Sequence, residues 1–246
     1  MGLLDSLGGY FLLVYNAFAK PEKLVMYWKE TLRQMYDIGV GSFGIIAVVA
    51  LFVGGVTAVQ FSYKLIAIGT IPMWWMGGIV RDSCVLELAP TISALLLAGK
   101  VGSNISSELG TMRISEQIDA MEIMGINTNS YLILPKLVGA VLIIPPLVVM
   151  AMFLGIIGGM VAGTMGNFYT QAEYVRGLQD QFNSYYVTVM IIKSLVFAFL
   201  ITTISCYKGF NVKGGALELG KSSTEAVVVS SIAIIVSNFI IAFVLL

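Results

Sequence analysis

Five apolar runs of membrane-spanning length punctuate this chain, and the polar residues that return between them mark the connections. The first run is 38–59, IGVGSFGIIAVVALFVGGVTAV. At about 1.5 Å of helical rise per residue it crosses a hydrocarbon core of roughly 30 Å. Gly39, Gly41, Gly44, Gly54 and Gly55 would let another helix approach it closely. The second run, 84–101, is shorter and holds Glu87 and Pro90. The third, 131–166, is apolar apart from Lys136 and the pair Pro145 and Pro146. That is more than one crossing needs, so the pattern predicts one long span kinked at the prolines, with a hairpin of two short spans as the alternative. Gly155, Gly159 and Gly163 recur every fourth residue along it, a ridge of small residues for helix contact. Runs four and five are 186–206, which carries Lys193, and 226–246. The pattern predicts an all-α integral membrane protein with five transmembrane helices forming a single membrane domain over 1–246.

The remaining stretches each have a character of their own. In 1–36, Leu3, Leu4, Leu7, Tyr10, Phe11, Val14, Tyr15 and Phe18 fall at helical spacing and are followed by Lys20, Lys23, Lys29 and Arg33. Such a segment suits an interfacial helix lying in the membrane plane. Residues 60–83 mix Lys64, Pro72, Trp74, Trp75, Arg81 and Asp82 and predict an interfacial connector or a lining element. After the second run the chain enters a Gly/Ser/Asn break, GKVGSNISSELG, and then a short charged amphipathic helix. There Ser115 is placed to cap, Glu116 and Asp119 lie in the first turn, Ile114, Ile118 and Met121 form an apolar edge, and Gly125 ends the helix. Residues 167–185 and 207–225 are expected to be polar loops.

Composition agrees with a membrane assignment and narrows the chemistry. The 246 residues are 58% hydrophobic and 11% charged, with mean hydropathy +0.90, more apolar surface than a soluble domain of this length could bury. Net charge is zero, so no field for a polyanion is expected and nucleic acid is excluded as a partner. With no histidine and only Cys84 and Cys206, neither a metal or haem centre nor a disulfide framework is expected, and no cofactor is assigned to this chain. With the N-terminus inside, ten cations (Lys20, Lys23, Lys29, Arg33, Lys100, Arg113, Lys136, Lys208, Lys213, Lys221) fall on the inner side. Lys64, Arg81 and Arg176 fall outside, which predicts a cytoplasmic N-terminus and a non-cytoplasmic C-terminus.

Glu87 and Lys193 are the two ionisable residues inside predicted spans. A charge near mid-membrane costs at least about 2.5–3.5 kcal/mol on insertion scales, so such groups face a cavity or each other and are often functional. A structural pair, or a lysine snorkelling to the interface, is the plainer reading. Glu87, Thr91, Ala94 and Ala98 share one helical face, a polar-to-small stripe suited to protein or a cavity. Arg81 lies at the edge of this path and, with Asp82, also suits an interfacial anchor. The 107–125 segment carries Glu108, Glu116, Asp119 and Glu122 against Arg113, which suggests a partner with a basic groove; a solvated connector helix is the plainer reading. The run Gly215 to Ser222 satisfies the phosphate-loop pattern G-x-x-x-x-G-K-[ST], but it lies between two spans with no room for the required strand and magnesium-binding acid. No hydrolase constellation is visible.

Longer motifs then carry a resemblance. They are ELAP at 87–90, AGKVGS at 98–103, SELGTMRISEQIDAMEIMGI at 107–126, KSLVFA at 193–198, CYKG at 206–209 and GGALELGKSSTEAVVVS at 214–230. The chain resembles the MlaE/YrbE-type permeases, membrane subunits of ABC transporters that work with MCE proteins. The resemblance implies a homodimer in the bacterial inner membrane, with a periplasmic C-terminus. It implies two copies of a separate ABC-type ATPase, which would use ATP and Mg, docked on a cytoplasmic coupling segment at 107–125 through Glu108, Met112, Arg113, Glu116, Asp119 and Met121. An MCE-domain protein is implied outside, often with a small STAS-domain subunit inside. The substrate implied is a phospholipid or related lipid moved between inner membrane and outer envelope, on a path past Glu87, Thr91, Lys193 and Arg81. Some members carry an acid seven positions before the membrane lysine; here that position is Tyr186. The expected chain is therefore a permease and not itself an enzyme. A stand-alone ion-coupled secondary transporter using Glu87 is the alternative, and a non-transporting scaffold for the MCE partner is a third. Five spans without an inverted repeat speak against the secondary transporter.

Overall fold

The computed structural model describes residues 3–19 and 24–246. Lys20 and Lys23, expected to trail the N-terminal helix, lie outside the described residues, as do the side chains of Leu3, Leu4 and Leu7. All regular structure among the described residues is helical: α1 (Leu3–Ala19), α2 (Leu24–Ile68), α3 (Met73–Ile114), α4 (Gln117–Ile123), α5 (Thr128–Met165), α6 (Gln171–Gln179), α7 (Ser184–Phe210) and α8 (Ala216–Leu245). Five of these, α2, α3, α5, α7 and α8, are long and apolar enough to cross a membrane.

Several elements extend beyond their apolar runs. No Gly or Pro interrupts 24–38, so the helix containing the 38–59 run starts at Leu24, and residues 24–36 belong to it and not to a separate interfacial element. The 131–166 stretch lies in one helix, α5, with Pro145 and Pro146 inside it, as the single-span expectation has it. The expected break at 99–110 is a correction. The chain stays helical there, passing from a π-helical turn, Ala98–Gly102, into regular helix at Ser103–Ile114. Its glycines serve packing instead: a Cβ on Gly102 would sit 2.9 Å from the Ser205 hydroxyl, and one on Gly110 would collide with Leu219. Ser103 and Thr111 turn their hydroxyls back onto the carbonyls of Gly99 and Ser107, satisfying themselves within the helix.

Two further loops also become helix. Residues 171–179, expected as polar loop, form α6, because Thr170 and Glu173 close a reciprocal capping box. The Thr170 backbone N–H and hydroxyl hold the Glu173 carboxyl below its ordinary value of 4.5. A depressed folded value means that this cap is complete above 4.5 and is lost as pH falls through the lowered value. The protection factor of the amides in the first turn of α6, taken against the intrinsic exchange rate at each pH, should therefore be constant above that point and fall below it; unchanged protection in acid would exclude the carboxylate as the holding group. In the 207–225 loop, α7 continues to Phe210 and α8 begins at Ala216. The phosphate-loop-like run is thus the first turns of a helix, not a loop able to wrap a phosphate.

The chain forms two compact units. The first comprises segments 1–42, 94–144 and 195–244. Within it the Tyr10 hydroxyl bonds Thr203 at 2.8 Å and Tyr27 bonds Ser130 at 3.0 Å. Leu13 and Ala17 of α1 are buried while Phe11, Leu12, Tyr15 and Phe18 on its other side are exposed, a face suited to lipid contact.

Segments 43–93 and 145–194, with the last two residues, make up the second unit. Its core gathers Ala58, Leu65, Met76, Val80, Cys84, Tyr169 and Tyr174. The Gly155, Gly159, Gly163 ridge lies where the pattern put a contact surface. A Cβ on Gly155 would meet the Cys84 sulfur at 3.0 Å, one on Gly159 would meet Val80 at 2.9 Å, and Gly163 faces the Tyr169 ring. Tyr169 and Tyr174 stack at 5.2 Å and donate to the carbonyls of Gly159 and Ile156 exposed along that ridge. A second close approach joins Gly77 of α3 to Gly177 of α6, each facing the other helix's backbone with no room for a Cβ.

Candidate functional site

Within the second unit, Glu87 lies on a π-helical stretch of α3, Cys84–Ile92, that contains Pro90. Proline has no amide hydrogen to give, so a regular ladder cannot run through it, and the wider π turn accommodates the missing bond. From this stretch Glu87 reaches Lys193 of α7: Nζ donates to Oε1 at 2.7 Å and to the Leu86 carbonyl at 2.8 Å. Thr91, one turn on, turns its hydroxyl toward the other carboxylate oxygen at 3.4 Å. The pair is asymmetric. The Lys193 side chain is 0% exposed, whereas that of Glu87 is 45% exposed. The lysine is thus committed to the protein, while the carboxylate remains half-exposed.

Three of the four residues expected to line a substrate path, Glu87, Thr91 and Lys193, come together. Tyr186, where an acid would have been an alternative partner, is not needed: the buried cation takes its charge from an acid 106 positions away. Arg81 belongs to a different cluster. Its Nη1 donates to the carbonyls of Leu178 at 2.6 Å and Asp180 at 2.9 Å, its Nε donates to Asp82 at 2.8 Å, and Phe182 lies against the guanidinium. Its donors are spent on Asp82 and on carbonyls at and just beyond the end of α6, which makes it a latch for that segment.

In the first unit, the 107–125 segment is the end of α3 followed by α4. Ser115 does not cap α4; its hydroxyl returns to Thr111 and closes α3, and the residue before α4 is Glu116 in a left-handed conformation, φ 57°. Gly125, φ 81°, terminates α4 as expected, with Ile126 N–H reaching back to Met121. The charges are less free than their count implies. Arg113 pairs with Asp119 at 2.5 Å, and Glu108 is met at 2.5 Å by Lys136 of α5, which is buried. Glu122 accepts from Thr128 at 3.0 Å. Met112 and Met121 are half-buried and Glu116 is exposed. Of the expected apolar edge, Ile118 is buried and holds α4 down. The outward apolar residues are Ile123, 87% exposed, and Met124, 68% exposed, which the helical spacing did not single out. Their place at the C-terminal end of a short helix, before the glycine, was the available signal.

Comparison with known proteins joins this geometry to a family. The model described as Permease MlaE matches residues 31–244. A probable ABC transporter permease protein of Synechocystis sp. is 34% identical over 215 residues, covering 87% of this chain and 81% of its own. A counterpart from Rickettsia bellii is 32% identical over 243 residues, 97% of this chain and 92% of its own. The chloroplast protein Trigalactosyldiacylglycerol 1 of Arabidopsis thaliana is 31% identical over 222 residues, 88% of this chain and 61% of its own. A multi-pass helical chain matched over this length belongs to the MlaE family of ABC transporter permeases.

Proposed function

We propose that this chain is the membrane subunit of an ABC transporter that moves phospholipids or related lipids between the inner membrane and the outer envelope. A separate ATPase, holding ATP and Mg, supplies the energy, and an MCE-domain protein exchanges the lipid; a homodimer, with or without a STAS-domain subunit, forms the permease. The N-terminus is cytoplasmic and the C-terminus periplasmic. The observation that carries the reading is the one-sided ion pair: a fully buried Lys193 holding a half-exposed Glu87 on an apolar span. The pair marks the polar end of a path for an amphipathic substrate. The chloroplast relative, named for a galactolipid, agrees with a lipid as cargo. An ion-coupled transporter is not favoured, because Glu87 is already neutralised by an internal cation and the family consists of ABC permeases.

The ATPase would dock on 107–125, with Glu108, Met112, Arg113, Glu116, Asp119 and Met121 shaping the segment. Ile123 and Met124 are its outward apolar contacts and Glu116 its free acid. Because neither apolar residue supports the fold, Ile123→Asp and Met124→Asp should leave melting unchanged and cut ATPase recovery on purification about tenfold, the loss of roughly 1.4 kcal/mol. Undiminished recovery would remove this docking role. Mass spectrometry of lipid retained by the purified complex tests the cargo, and a complex free of phospholipid or glycolipid would refute it.

A further inference from the structure

A cavity of 430 Å³ in the first unit lies where α2 enters its apolar run and faces residues 100–107 of α3. That volume is within the range of small-molecule sites, roughly 300–1,000 Å³. Its floor is apolar, with Ile38, Val101 and Ile105 all buried. Its polar lining includes one carboxylate, Asp37, and one amine, Lys100, together with Ser42, Ser103 and Asn104. Lys100 donates to the Gly41 carbonyl, leaving two of its three N–H groups for another acceptor. Among the described residues Asp37 is met by a 4.0 Å contact from Arg33, and both side chains are exposed, a pairing that a competing cation displaces readily.

We propose that this cavity receives the headgroup of a zwitterionic phospholipid. The phosphate lies toward Lys100 and Asn104, the protonated amine toward Asp37, and the start of the acyl region over Ile38, Val101 and Ile105. An anionic headgroup without an amine would leave Asp37 facing a negative charge, whereas a phosphate and an amine together satisfy both charged residues. The position suits a headgroup, since the apolar run begins at Ile38 and headgroups lie at the polar-to-apolar boundary of a bilayer. The inference deepens the lipid-transport reading and rests on it for treating the bound lipid as cargo in the cytoplasmic leaflet.

The test uses the full-length chain in nanodiscs containing equal phosphatidylethanolamine and phosphatidylglycerol, with the lipid retained after mild extraction quantified by mass spectrometry. Wild type should retain phosphatidylethanolamine over phosphatidylglycerol by about fivefold or more, and Asp37→Asn should bring that ratio close to one. Lys100→Gln should lower retention of both lipids about tenfold, the scale of one charge-assisted hydrogen bond. An unaltered lipid ratio in Asp37→Asn, or unaltered retention in Lys100→Gln, overturns the site. A wild-type chain that retains no phospholipid would refute the transport reading as well, whereas retention indifferent to these variants would refute the headgroup site alone.

Discussion

Glu87→Ala is expected to lower ATP-driven lipid transfer in reconstituted vesicles tenfold or more and to weaken the chain itself. The substitution leaves the Lys193 ammonium fully buried with a single carbonyl acceptor, that of Leu86. Breaking a buried pair by removing one partner costs about 3–5 kcal/mol when both groups are dry. Since Glu87 is half-exposed, about 2 kcal/mol is the better expectation, enough to lower the melting temperature by several degrees without abolishing assembly. A second variant separates stability from transport. In a Glu87→Gln, Lys193→Met double substitution no buried charge remains, and apolar replacement of a buried pair is often neutral or stabilising. Melting should therefore recover while transport stays low. Full transport by either variant would show that Glu87 does not meet the substrate.

Gly54→Ala should prevent stable folding, while Gly44→Ala on the same helix should be silent. Both are helix-interior positions in α2, where alanine is intrinsically favoured by about 1 kcal/mol. At Gly44 an added Cβ meets nothing within 4 Å. At Gly54 it would collide with the backbone carbonyl of Gly155 on α5, and Gly158 stands in the same relation to Leu51. Backbone cannot swing aside as a side chain can, so the helices must separate along their contact. Overpacking typically costs about 1–3 kcal/mol and more where nothing can yield, and here the cost is expected at the upper end or beyond. Expression in membranes and thermal melting of the two variants provide the comparison; equal stability would mean that the helices do not rely on this approach.

Much of the fold was legible because apolar length alone decides whether a segment spans a bilayer. All five runs lie in long helices, and the Gly155, Gly159, Gly163 ridge packs as its spacing implied. The errors share one cause. In 99–110, glycine and serine look like a loop to local propensity, yet in a membrane-embedded helix small residues are what let Ser205 and Leu219 come close. In 171–179 the polar composition suggested a loop although Thr170 and Glu173 already spelled a capping box. The candidate site was half legible: an acid and a lysine inside apolar runs are conspicuous in any sequence and their pairing was one of the readings, but the Leu86 carbonyl and the unequal burial of the two groups were not visible there.

The sequence by itself determined what kind of molecule this is, because span number, the charge placed between spans and a long central motif are all local properties. Tertiary structure alone decided what those residues do to one another. It paired Lys193 with Glu87 over 106 positions and engaged Glu108 with a buried Lys136. It also spent Arg81 on carbonyls and turned Ile123 and Met124 outward. The physical reason is that charge neutralisation and close packing depend on distances of a few ångströms between helices, and helical periodicity fixes which face a residue occupies without fixing what that face will meet.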